Sequence, residues 1–356
     1  MENVLFRQSE SDNPYPLYAR MLAEQPVYRD ESNGIWAVYS HAACTQVLQA
    51  TTAAHIPAPQ PAMLTHQLAR LANPPAHPAF RQAAMDLMTR LQPAHIAALL
   101  ARLLGASAEV DWVDTVCKKL PALAVLDGLG FGQEDIASIL PQLEGLTKLM
   151  LPNKSAQQLA EANAVATDIH ARVARHVAAS GVAGDDNQQA IYVANLIGLL
   201  IQSYDAGRGL LSNALLQALT HGRHGDWPAL VIETLRYDSP IHNTRRVLVE
   251  DMMLHGRTLS RGDAVLLVLA AANRDPAVFS HPHDFDPARC NNDAHLSFGG
   301  GIHHCAARHF SVKLAADALA ALFAAGRKIR LLQPAMTYEP MINARLPRQL
   351  WIALGQ

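Results

Sequence analysis

Phe298-Gly299-Gly300-Gly301-Ile302-His303-His304-Cys305 puts a cysteine directly behind a run of glycines and directly ahead of an Ala-rich stretch, Ala306 to Gly326, that reads as a helix. Each part has a physical use. Glycine reaches positive φ without a Cβ penalty and lets backbone approach a flat ligand closely, while the N–H groups and dipole at a helix start stabilise a thiolate. The segment leading in, 273 to 301, is rich in Pro, Asp, Asn and Gly and reads as ordered loop. A loop of that length inside a folded domain is usually kept for function. A zinc site is the rival reading, because His281, His283, Cys290, His295, His303, His304 and Cys305 crowd together, but the paired spacings that structural zinc prefers are missing.

The rest of the composition narrows the setting. The 356 residues are 50% hydrophobic and 17% charged with a net charge of -2, which favours a packed globule and gives no reason to expect nucleic-acid binding. No stretch reads as a linker, so a single domain over 1-356 is expected. Four cysteines, at 44, 117, 290 and 305, are too scattered for a disulfide framework and leave any one of them open to a chemical role. The opening, MENVLFRQSESDNPYPLYARM, carries charge throughout and lacks the order of a secretion signal, which points to the cytoplasm. The most apolar run, Tyr192 to Tyr204, includes Asn195 and Gln202 and is too short for a bilayer, so it reads as a buried helix and no membrane anchor is expected.

Periodicity predicts a mainly α chain with a small β region. A short helix is expected over Pro16 to Gln25, a strand over Gly34 to Tyr39, and helices from about 92 to 223 interrupted at Pro121, Gly128 to Gly132, Pro152 and Gly181 to Asp186. Val247 to Val249 and Ala264 to Val268 read as strands around a turn at Arg261-Gly-Asp263, and residues 329 to 354 as closing strands.

Further motifs fall in order around the cysteine. Glu233 and Arg236 stand three apart on one helix face, followed by Tyr237-Asp-Ser-Pro240. Ala272-Asn-Arg-Asp-Pro276 leads to Phe285-Asp-Pro-Ala-Arg289, and upstream Asn73-Pro-Pro-Ala-His77-Pro-Ala-Phe-Arg81 sets a histidine and an arginine four apart. The opening holds Asn13-Pro-Tyr-Pro-Leu-Tyr18. Together these resemble the bacterial cytochromes P450. The cysteine loop resembles Phe-Gly-x-Gly-x-His-x-Cys-x-Gly of that family, matching at Phe298, Gly299, Gly301, His303 and Cys305, with Ala307 in place of the last glycine.

The resemblance implies a compact variant of that fold and heme b held by Cys305, whose thiolate pushes electron density toward bound oxygen. It implies Phe298 and Gly299 in the cofactor loop, His77, Arg81, Arg246 and His303 at the heme propionates, and Glu233 clamped between Arg236 and Arg289 as scaffold. The substrate pocket is expected from family position at the loop 51 to 66, Gly198, Ile201, Ile241, His242, Asn243, Met341 and Ile342. Electrons are expected from ferredoxin and ferredoxin reductase, or peroxide as the oxidant, and the substrate is expected to be a small organic molecule of specialised metabolism. The chain departs from the pattern on its long helix. Aligning Ser212-Asn-Ala-Leu-Leu216 places Gln202-Ser203-Tyr204-Asp205-Ala206 where the family carries its acid and threonine: Asp205 keeps the acid, and Ala206 lacks the hydroxyl that helps deliver protons. Gln202 and Ser203 are the alternative donors. Monooxygenation, desaturation, cyclisation and coupling therefore stay open, as does a heme protein without catalysis that works as a sensor or recruitment domain.

Overall fold

The computed structural model describes residues 12–55, 67–92, 95–150, 155–182, 184–222, 225–333 and 335–355. It divides into two compact units, the first formed by Met1–Ile56, Leu100–Cys117 and Arg208–Gln356, the second by Pro57–Leu99 and Lys118–Gly207. The fold is mainly α with small sheets.

All described strands lie in the first unit: β1 (Val27–Asp30), β2 (Ile35–Val38), β3 (Ala53–Ala54), β4 (Glu109–Asp111), β5 (Thr244–Leu248), β6 (Met252–Leu254), β7 (Arg257–Leu259), β8 (Ala264–Leu267), β9 (Ile329–Leu331) and β10 (Trp351–Leu354). They form a five-stranded sheet in the order β1-β2-β8-β5-β3, a three-stranded sheet β4-β10-β9, and the hairpin β6-β7. In the large sheet β2 pairs parallel to β8, Trp36 opposite Val265, and antiparallel to β1.

Side-chain alternation explains why Ile35 to Val38 is apolar at every position. Trp36 and Val38 face a core with Ala43, Val47 and Leu48 of the helix His41–Gln49, whereas Ile35 and Ala37 face Tyr15, Tyr18 and Met21 of the helix Tyr15–Glu24. A strand covered on both faces loses its polar alternation. Ser40 caps the helix His41–Gln49 by accepting the Ala43 N–H at 3.4 Å.

Among its described residues the second unit is built from helices, including His77–Arg90, Leu120–Gly128 and Ala156–Ala179. The last of these opens on a capping box between Ser155 and Gln158. The 36-residue helix Asp186–His221 starts in this unit and continues into the first; it contains the whole apolar run from Tyr192 to Tyr204. Gly207 lies on it where a Cβ would stand 2.7 Å from Pro121 Cγ, so the glycine lets the helix pack directly on the proline ring.

Several boundaries differ from the sequence reading. Pro121 opens the helix Leu120–Gly128, as proline in a first turn does, and interrupts nothing. The helix after the cysteine spans Arg308–Leu322. Strands β1 and β4 and the hairpin β6-β7 come from stretches that local pattern left unassigned; β4 takes its place by pairing with β10, some 240 positions away, as Trp351 opposite Asp111.

Candidate functional site

The cysteine loop is held from both sides. Gly299 and Gly301 take φ of +68° and +64°, the left-handed region that glycine alone occupies cheaply. At Gly301 a Cβ would stand 2.2 Å from the Leu48 carbonyl oxygen, so the loop runs directly against the end of the helix His41–Gln49; at Gly299 the same space is open. The Cys305 N–H donates to the Phe298 carbonyl at 3.0 Å and the His304 N–H to Gly301 at 3.1 Å, which folds the loop back on itself before the helix Arg308–Leu322 begins. Ala307, at the family's third glycine, has φ of -94°, an ordinary conformation that an alanine adopts without strain.

The four cysteines separate by environment. Cys44 and Cys117 are buried, and burial pushes both thiols up and keeps them protonated. Cys305 is only partly buried. The His303 ring meets the edge of His55 with centroids 4.2 Å apart. Arg246, on β5, is 3% exposed, with Nη1 donating to the Arg245 carbonyl at 2.8 Å and to Thr244 Oγ1 at 3.1 Å. Among the described residues no three His, Cys, Asp or Glu side chains converge as a metal site, which leaves the zinc reading without a ligand set. A partly buried cysteine ahead of a helix start, a glycine loop that admits a flat group, and a buried guanidinium on β5 fit a heme, whose iron takes sulfur and whose carboxylates take cationic donors.

Behind the loop, Glu233 and Arg236 are fully buried on the helix Trp227–Tyr237, joined by two hydrogen bonds of 2.8 and 2.6 Å. Arg289 lies 3.7 Å from the same carboxylate, which also accepts the Asp286 N–H at 2.9 Å. Arg236 spends its remaining donors on the carbonyls of Asn273, Pro282 and Asp284. Glu233 and both arginines thus tie the incoming loop to a helix.

Segments 241–243 and 341–344 are brought together: Ile241 bridges to Ala344, the His242 N–H donates to Asn343 at 2.9 Å, and Asn243 Nδ2 donates to the Ile342 carbonyl at 2.8 Å, beside Met341. The His242 ring itself turns into the protein. It is 3% exposed, its Nδ1 lies 2.9 Å from Tyr18 Oη, and burial pushes its pKa down to about 3, so this side chain packs with Tyr15 and Tyr18 and does not line a cleft.

In the second unit His77 and Arg81 fall on one face of the helix His77–Arg90, with His77 buried and its pKa lowered by burial and by Arg81. On the long helix Gly198 packs against Leu68, and Ile201 is 6% exposed. Gln202 Nε2 donates to the Gly198 carbonyl at 2.9 Å and Ser203 Oγ to Leu200 at 2.9 Å, so both alternative donors bond to their own helix. Asp205 and Ala206 are partly buried on the following positions. Of the expected substrate loop, residues 56–66 lie outside the described residues.

The model for the family Cytochrome P450 matches residues 228–313, which span the Glu233 clamp and the Cys305 loop, and Putative cytochrome P450 123 of Mycobacterium bovis is 28% identical over 90% of this chain and 88% of its own length. The chain is similar to the cytochromes P450 along nearly its whole length. Among solved structures, CalO2 superposes with a TM-score of 0.84 at 25% identity, covering 98% of both chains. P450BioI, solved in complex with hexadec-9Z-enoic acid ligated acyl carrier protein, superposes at 0.83 with 22% identity, over 99% of this chain and 100% of its own, and shares the fold. The cytochrome P450 family carries a heme-iron cofactor and monooxygenase-type oxidoreductase chemistry. Among the described residues no helix is long and apolar enough to cross a membrane.

Proposed function

We propose that the chain, as one heme domain over residues 1-356, oxidises a small organic substrate of specialised metabolism in the cytoplasm, with heme b bound through Cys305. The observation that carries this reading is the Cys305 loop, with its left-handed glycines and the packing of Gly301 on Leu48. Bound there, the heme iron supplies oxygen activation, with electrons from ferredoxin and ferredoxin reductase or with peroxide as the oxidant. By family position His77, Arg81, Arg246 and His303 neutralise the propionates, Phe298 and Gly299 shape the loop, and Glu233, Arg236 and Arg289 hold the scaffold. Asp205 is the side chain that holds or passes a proton near the reacting atoms. Ala206 contributes no hydroxyl, and the bonding of Gln202 and Ser203 to their own helix leaves proton delivery to Asp205, to water or to a substrate hydroxyl. By family position Gly198, Ile201, Ile241, Asn243, Met341 and Ile342 are the substrate residues, mostly apolar and suited to a small organic molecule.

Ala206 also favours a second reading, a P450-like heme protein without turnover that senses or recruits. Purified protein, reduced under carbon monoxide, should give the spectrum of a thiolate-ligated heme; loss of that signature in Cys305→Ala is expected, and its absence in the native protein refutes the cofactor assignment. Product formed with surrogate ferredoxin and reductase, or with hydrogen peroxide, supports catalysis. No heme reduction and no product across a substrate panel supports the second reading. Ala206→Thr should raise the share of consumed electrons that reaches product; unchanged coupling means that the helix delivers protons without a hydroxyl at this position.

A further inference from the structure

Asn273 belongs to the Ala272-Asn-Arg-Asp-Pro276 motif, to which neither the clamp nor the cofactor assigns work. It is fully buried and bonds in three directions. Its carbonyl accepts from Arg236 Nη1 at 3.2 Å. Its Oδ1 accepts the Leu296 N–H at 2.6 Å, and its Nδ2 donates to Ser297 Oγ at 2.8 Å. Ser297 Oγ in turn donates to the Leu235 carbonyl at 2.5 Å, one residue before Arg236, and lies 2.9 Å from Ser239 Oγ. The next residue is Phe298, whose carbonyl receives the Cys305 N–H. Hydrogen bonds therefore lead from the Glu233–Arg236 pair through Asn273 to Ser297, and the peptide link from Ser297 to Phe298 carries the connection to the backbone of the cysteine.

We propose that Asn273 and Ser297 are positioning residues for Cys305: they relay the helix Trp227–Tyr237 to the cysteine loop and fix where the sulfur stands relative to the iron. The inference rests on Cys305 as the heme ligand. Both side chains are chosen by chemistry. Asparagine offers an acceptor to Leu296 and a donor to Ser297 from one planar group, and the serine hydroxyl, which both accepts and donates, passes the bond on to Leu235. Leu296 and Ser297 precede the glycines, so the flexible part of the loop begins only after its base is anchored.

The test uses the heme-loaded protein and the variants Asn273→Asp, which keeps size and Oδ1 while removing the donor to Ser297, Ser297→Ala, and Ser297→Thr, which restores a hydroxyl. Ser212→Ala, which deletes a buried hydroxyl bonded to Arg208 at 2.8 Å elsewhere in the same unit, is the control for lost stability. The readouts are the rate at which the ferrous carbonyl complex loses its thiolate spectrum in mild urea, the iron reduction potential, and amide exchange over 296–305. In Asn273→Asp and Ser297→Ala the rate should rise about tenfold, the factor that one unsatisfied buried group brings, with a shifted potential and faster exchange, while Ser297→Thr returns toward the native rate and Ser212→Ala matches it. Native rates and potential in both variants overturn the proposal, as does an equal effect in Ser212→Ala. Should Asn273→Asp not fold, Ser297→Ala against Ser297→Thr decides alone. Native protein without a thiolate spectrum refutes Cys305 as ligand instead, an outcome visible before any variant is compared.

Discussion

Gly299 and Gly301 provide two alanine substitutions that the geometry separates sharply. Both residues hold left-handed φ, +68° and +64°, so each alanine costs about 1–2 kcal/mol in backbone conformation. Only at Gly301 does the added Cβ meet an obstacle, the Leu48 carbonyl oxygen at 2.2 Å, with the Leu48 carbonyl carbon at 3.2 Å behind it. That obstacle is backbone at the end of a packed helix and cannot rotate aside, so overpacking adds roughly 1–3 kcal/mol. Gly299→Ala should therefore lose ~1–2 kcal/mol and Gly301→Ala ~2–5 kcal/mol. Urea unfolding of the heme-loaded variants, followed in parallel by far-ultraviolet circular dichroism and heme absorbance, measures both. In Gly301→Ala the heme signal should be lost ahead of the helix signal, because the displaced loop carries Cys305. Equal losses at the two positions, within about 0.5 kcal/mol, would refute the idea that close approach to Leu48 shapes the loop.

Three other outcomes follow from the same physics. Glu233→Gln leaves the Arg236 charge buried without its counter-charge and with one acceptor oxygen in place of two, and should cost about 3–5 kcal/mol by denaturant unfolding; a loss under 1 kcal/mol would mean that the carbonyls of Asn273, Pro282 and Asp284 suffice. Gly207→Ala, a change that gains about 1 kcal/mol in an open helix, should here lose roughly 1–3 kcal/mol against Pro121, and any net gain contradicts the packing. Burial pushes His242 and His295 down from 6.5 to about 3. The unfolded chain takes up both protons near pH 6.5 and the folded chain only near pH 3, so the stability carried by the neutral rings is whole above pH 6.5 and falls as pH drops through that window. The slope contributed approaches about 2.7 kcal/mol per pH unit for the pair. His242→Gln should remove about half of it in unfolding measured from pH 7 to pH 4, and an unchanged slope would place the His242 ring in water.

The cysteine loop was legible because its chemistry is local: glycines, a cysteine and a helix start within ten positions can be read without knowing what packs on them. The same holds for Glu233 and Arg236, three apart on one helix face, and for the helix Tyr15–Glu24. What local pattern missed is what distant partners decide. Strand β4 is three residues long and exists because β10 pairs with it. His242 sits between residues of family substrate positions, yet Tyr18 draws its ring inward. Gln202 and Ser203 looked like spare donors, and the nearest acceptors proved to be carbonyls one turn back on their own helix.

Composition and order of residues by themselves determined a mainly α chain, a cysteine behind a glycine turn at position 305 and the motifs around it, because helix periodicity, glycine freedom and thiol chemistry act over a few positions. Only the tertiary structure decided which glycine is sterically required, that Asn273 and Ser297 lie between the buried ion pair and the cysteine, and which strands pair. Those are matters of which atoms arrive within 3 Å of one another from far along the chain, and closure of the fold alone sets that distance.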